Sequence, residues 1–181
     1  MRTELCERFG IDLPIFAFSH CRDVVAAVSR AGGMGVLGAV GFTHRKLERE
    51  LAWIDEHVDG KPYGVDIIMP AKSADTGERD ARKLAVDLGS MIPEAHRAFQ
   101  EELLTRHGVE PLPDDAGANP LVLGTQATAL PLVEVALAHP ISLLVNALGP
   151  PPPAVVDQAH DADVAVGGLV GSIAQAQRQV A

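Results

Sequence analysis

Apolar positions in this chain gather in short solid runs, separated by longer stretches where they recur every three or four residues. The solid runs are Pro14–Phe18 (PIFAF), Met34–Val40 (MGVLGAV), Tyr63–Pro70 (YGVDIIMP), Ile141–Gly149 (ISLLVNALG) and Val164–Val170 (VAVGGLV). Runs this short and this uniformly apolar fit strands covered on both faces, as in a parallel sheet. Helical spacing fills the intervals. A helix is predicted from Cys21 to Arg30, with Val24, Val25, Val28 and Ala31 on its buried side and Ser19 as a plausible cap. A second runs from Thr43 to about His57, where Leu47, Leu51, Ile54 and Val58 recur and Gly60 ends the pattern. Further helices are predicted over Leu130–His139, Pro152–Asp161 and Ser172–Ala181. The pattern is five βα units in sequence, which places the chain in the α/β class.

The stretch Ser29–Gly41 (SRAGGMGVLGAVG) anchors this pattern. Gly33, Gly35 and Gly38 have the G-x-G-x-x-G spacing of a dinucleotide-binding turn. That turn must leave a strand and open a helix, so that helix N–H groups meet a pyrophosphate. Here the helical pattern precedes the glycines and a β-like run contains them. The order therefore reads as helix, Gly-Gly stop, strand, with Gly35 and Gly38 admitting a close backbone or a flat ligand.

Between Ala71 and about Ala127 the rhythm breaks. A polar stretch leads to a helix expected over roughly Pro93 to His107, followed by a Pro/Gly/Asp-rich loop. A long insertion directly after a strand's C-terminal end is usually functional, and a lid over the strand ends is expected.

Composition narrows the function classes. The 181 residues are 47% hydrophobic and 22% charged, enough for one domain (1–181) with a real core. A net charge of -9, with 15 scattered basic residues, argues against nucleic acid or an anionic membrane as partner. Cys6 and Cys21 make no disulfide scaffold and suggest a reducing compartment. The N-terminus lacks an apolar signal core and no apolar run is long enough for a bilayer, so a cytoplasmic protein is expected. His20 and Cys21 follow the first strand and could pair as base and nucleophile or bind metal, against a plain loop or cap role; no third ligand has supporting spacing. His44, His57, His107, His139 and His160 lie near helix ends or turns and are expected to face solvent.

Several segments together resemble the nitronate monooxygenase family, formerly 2-nitropropane dioxygenases: FGIDLPIFAFSH, AVSRAGGMGVLGA, KPYGVDIIMP, ISLLVNALGPPPPAVVDQAH and VAVGGLVGS, in that order. The resemblance implies an FMN-dependent (β/α)8 TIM-barrel type fold, here truncated after about five βα units, with the strands in the order 1-2-3-4-5. It implies oxidation of alkyl nitronates, small-molecule substrates, with O2. It also implies that Ala17, Phe18 and Ser19, at the end of strand one, pack against the isoalloxazine. Asp66 stands where many members have Asn, and its carboxyl either accepts from the flavin N3–H or pairs with a basic group in the barrel interior. Asn146 either faces the ring or bonds neighbouring backbone. Leu169 replaces a polar residue of many members, removing that contact. The family's catalytic histidine and its FMN phosphate loops have no counterpart in these residues, so no catalytic role transfers. The alternative is therefore a catalytically silent fragment of such an enzyme. Bare outer strands would then favour self-association through the open sheet edges.

Overall fold

A computed structural model describes residues 2–69, 81–110 and 125–180. Five parallel strands form one sheet in the order β1-β2-β3-β4-β5: Phe16–Ser19, Met34–Gly38, Tyr63–Ile67, Leu143–Asn146 and Ala165–Gly168. Neighbours in sequence are neighbours in the sheet, as expected for an arc of a barrel. An open doubly wound sheet would place strand one in the interior.

Register sorts the side chains into two faces, because successive strand residues point to opposite sides. Leu37, Val65 and Leu144 sit on one paired rung and are fully buried. They pack with residues of α2 (Arg22–Arg30), α3 (His44–His57), α6 (Gln126–Leu137) and α7 (Pro153–Asp161), which form the outer layer. In α3, Leu47, Leu51 and Ile54 are all wholly buried, each worth about 1.5–3 kcal/mol of apolar transfer. Thr43 caps this helix by accepting from the Lys46 N–H.

α2 meets the sheet more closely than any ordinary side chain allows. A Cβ on Gly35 would lie 2.2 Å from the Val25 carbonyl oxygen. The buried face of α2 is Val25, Ala26 and Ser29, whereas Val24 is exposed. The predicted stripe was rotated, because the helix presents small residues to a glycine strand. The Ser29 hydroxyl donates to the Pro62 carbonyl (2.8 Å) and accepts from the Gly35 N–H (3.0 Å), linking α2 to β2 and to the start of β3.

Three further features depart from the expected pattern. First, α1 (Glu4–Phe9) packs on the inner face, near the strands' N-terminal ends. Its Cys6, with Ile11, clusters with Met34, Val36 and Leu143, and Phe9 meets Phe16 edge-on at 5.5 Å. Its short sequence, ELCERF, with three of six residues charged, hides this single buried side. Second, α6 begins four residues earlier than its apolar spacing suggests and carries Pro131 inside. Burial of Ala129, Leu132, Val133 and Ala136 outweighs the backbone bond that Pro131 forfeits. Third, His139 does not face solvent. Its Nδ1 lies 2.6 Å from Asp55 Oδ2 and its Nε2 3.3 Å from Glu48 Oε2, while the Tyr63 hydroxyl donates to Asp55 Oδ1 at 2.5 Å. Burial and the bond to Asp55 both push the Tyr63 hydroxyl far above the usual phenol range. His57 is also partly covered, stacked on Trp53 at 3.9 Å.

Within the insertion, α4 (Ala81–Ser90) and α5 (Glu94–Arg106) are described, and α5 matches the predicted helix, flanked by Pro93 and His107. α5 buries none of its residues. The expected lid position depends on residues 70–80 and 111–124, which lie outside the described residues.

The Gly35 contact gives a paired test. Gly35→Ala should lower unfolding stability by about 1–3 kcal/mol, because backbone must move to admit the methyl group. Gly167→Ala, where a Cβ would meet only side-chain atoms at 3.5 Å and beyond, should change it by no more than about 0.5 kcal/mol. Urea denaturation measures both, and equal effects would contradict the packing account.

Candidate active site

The inner face is built from the other set of strand positions. Paired across β1 to β5 are Phe18, Val36, Gly64, Leu143 and Ala165, and one rung higher lie Gly38, Asp66, Val145 and Gly167. A hollow of about 400 Å³ opens over this face, lined by Phe16, Phe18, Val36, Asp66, Leu143, Val145, Ala147 and Leu169. Its floor is apolar, and Phe18 and Leu169 are 56% and 60% exposed. Large apolar side chains left open in this way mark a surface meant to be covered by a ligand or another segment.

Asp66 is the hollow's one carboxyl. Among the described residues its Oδ1 is the only buried side-chain oxygen or nitrogen without a hydrogen-bond partner. Burial pushes its carboxyl above the usual carboxylate range, while the Ala147 N–H and the His20 ring pull it back. Gly38 beside it is required by what lies above: a Cβ there would sit 2.4 Å from the Phe18 ring and 2.9 Å from His20 Cε1. His20 bonds the Gly38 carbonyl through Nδ1 at 2.8 Å and meets Phe18 edge-on at 5.0 Å.

Of the residues singled out from sequence, the structure brings Phe18 and Asp66 together on this face. Ala17 pairs with Gly35 and Ser19 with Leu37, so both point to the helix layer, and Ser19 Oγ accepts from the Cys21 N–H at 3.0 Å. Asn146 is fully buried with its amide occupied by backbone. Its Oδ1 accepts from the Met69 and Leu148 N–H groups, and its Nδ2 donates to the Met69 and Pro150 carbonyls. Asn146 therefore ties the segment after β3 to the loop after β4, directly behind Ala147 and Asp66. Leu169 does line the hollow. The His20–Gly38 pairing escaped the sequence reading; its only signal was a histidine two residues past Phe18 on a strand facing glycines.

A second hollow of about 570 Å³ opens at the opposite end, beside Arg8, Ser142, His160 and Asp163. It lies at the strands' N-terminal ends, whereas barrel chemistry sits at the C-terminal ends. Among the described residues no group of His, Cys, Asp and Glu could hold a metal ion, and no helix is long and apolar enough to cross a membrane.

A sequential parallel arc with helices outside and a hollow at its C-terminal end has the architecture of part of a (β/α)8 barrel. The chain belongs to the nitronate monooxygenase family, whose sequence signature matches residues 9–181. It is 47% identical over its whole length to a Mycobacterium tuberculosis protein, Rv1533, named only as a monooxygenase, and spans 48% of that relative. A Staphylococcus haemolyticus protein named a probable nitronate monooxygenase is 34% identical over 42% of this chain. Nitroalkane oxidase from Streptomyces ansochromogenes superposes on 98% of the chain with a TM-score of 0.66 at 18% identity, and 45% of that structure is covered. FabK from Thermotoga maritima superposes with a TM-score of 0.61 at 18% identity, with 40% of it covered. These two likenesses speak to the fold. The chain thus spans about half the length of the tuberculosis relative and somewhat less of the two solved structures, and the staphylococcal match covers 22% of that protein.

Folding raises the Asp66 carboxyl above the roughly 3.9 of an unfolded aspartate. Stability from this group is complete below about pH 4 and is lost as pH rises through the raised value. Asp66→Asn should remove that loss, making the variant at least as stable as the parent near neutrality, with the gap closing in acid. Thermal melts across this range check it; a variant less stable at every pH would contradict the assignment.

Proposed function

We propose that the inner face binds FMN and that the chain forms part of an oxidoreductase that oxidises alkyl nitronates with O2. One observation carries the reading: a flat apolar floor holds a single buried carboxyl oxygen that lacks a donor. An isoalloxazine ring needs apolar surface against its plane and an acceptor for its imide N–H, and Phe18 and Asp66 offer one of each. The phosphate fits less well, since none of the eight residues lining the hollow is cationic. FMN, when bound, would supply the electron acceptor that passes electrons on to O2. Phe18, seated over Gly38, would pack against the ring, and Gly167, on the same rung as Asp66, would leave room for it. The family name and the names of the staphylococcal relatives support the nitronate as substrate class.

Flavin fluorescence titration of the 181-residue chain tests this reading. Without a phosphate anchor, two missing charge-assisted bonds at ~1.5–3 kcal/mol each weaken FMN about 10²–10⁴-fold relative to a fully anchored site. The parent chain should therefore quench FMN weakly but saturably, and Phe18→Ser and Asp66→Ala should each weaken it further by about tenfold, ~1.4 kcal/mol. Stoichiometric FMN retained through purification, or titrations blind to both substitutions, would overturn the placement.

A further inference from the structure

The ladder between β3 and β4 ends at the Ile67–Asn146 pair, and the Asn146 side chain carries the pairing one step further. Wholly buried, it accepts from the Met69 N–H and donates to the Met69 carbonyl, both at 2.8 Å, as an opposed backbone unit does in a sheet. The same Oδ1 accepts from the Leu148 N–H at 3.2 Å, a local turn that spans Ala147. Nδ2 also donates to the Pro150 carbonyl at 3.3 Å. Ala147 is thereby held on both sides. It lines the hollow, and its N–H bonds the Asp66 carboxyl. The Asp66 backbone is fixed from the other direction, where its carbonyl accepts from the Ala39 N–H at 2.9 Å. One donor on a fixed loop therefore sets the carboxyl's angle and leaves its Oδ1 without a partner. An acceptor held in this way loses little freedom when a donor arrives.

We propose that Asn146 is a positioning residue: it fixes the Ala147 N–H against one oxygen of Asp66, so that the other oxygen selects a planar ring bearing an imide N–H. Asn146 touches no ligand itself and acts only through Ala147. The ring selectivity rests on the flavin reading given above; the coupling from Asn146 through Ala147 to Asp66 does not. A purely structural Asn146 would support every ligand of the face equally. A positioning Asn146 decides between ligands that differ only at the imide nitrogen.

Two measurements test it, and both avoid the phosphate. In the flavin-free chain, Asp66→Ala should move the Ala147 amide proton upfield, because the N–H loses its acceptor. In Asn146→Ser, with far-UV circular dichroism unchanged, Asp66→Ala should leave that proton where it was. Should Asn146→Ser not fold, Leu148→Pro takes its place with the same expectation, since it removes the N–H that closes the turn over Ala147. Fluorescence titrations then compare riboflavin with 3-methylriboflavin, whose imide nitrogen carries no hydrogen. The parent chain should prefer riboflavin about tenfold, and Asn146→Ser should bind the two alike. An Ala147 amide blind to Asp66→Ala in the parent, or a response or preference that survives Asn146→Ser, would overturn the proposal. The amide response without riboflavin binding would sink the flavin reading alone; riboflavin binding with the amide blind would sink this one alone.

Discussion

The fold depends on how closely α2 can lie on β2. At Gly35 the helix backbone comes so near that no side chain fits, and the Ser29 hydroxyl closes the gap with two hydrogen bonds, one to β2 and one to the residue before β3. That contact fixes the rotation of α2 and the height of β2 relative to β3. With β2 set, strand alternation leaves no freedom. Leu37 must face the helices, while Val36 and Gly38 must face inward. A slip of one residue would bury Asp66 among the apolar residues of the helix layer.

The chemistry of the inner face follows from the same constraint. Gly38 and Asp66 share a rung because β2 and β3 are locked in register, and the missing Cβ at Gly38 is what lets Phe18 and His20 lie across the strand end. Asn146 performs a similar service on the far side, holding the segment after β3 to the loop after β4 through four backbone hydrogen bonds. Losing such a buried amide strands several backbone groups at once, which costs more than the bonds themselves contribute. The outer layer is held by apolar burial and by the Tyr63–Asp55–His139 bonds, away from the hollow.

Much of this was legible from the sequence. Solid apolar runs identified all five strands, and the inverted order of glycines and helix pointed away from a dinucleotide turn towards a barrel arc. Phe18 and Asp66, which the structure brings to one hollow, stand out against their strands in the sequence, an aromatic next to small residues and a carboxyl in an apolar run. Asn146 stood out for the same reason, yet its amide is spent on backbone, a distinction that depends on loops a strand pattern does not encode. α1 stayed hidden because it is only six residues long, three of them charged, and buries one cysteine and leans on one phenylalanine. The solvent-facing expectation for His139 failed, and the Gly38 partner of His20 went unseen, because these partners lie 84 and 18 residues away in the chain.

The central claim is that the inner face, and not the helix layer, receives the flavin. Alternation along the strands supplies an internal control, since methyl-bearing residues of the two faces are chain neighbours. Methyl NMR of the chain titrated with FMN reads both sets at once. The account predicts shifts at Val36, Leu143, Val145 and Leu169, with Leu37, Val65, Ile67 and Leu144 left in place. Shifts confined to the second set, or none at saturating FMN, would contradict it.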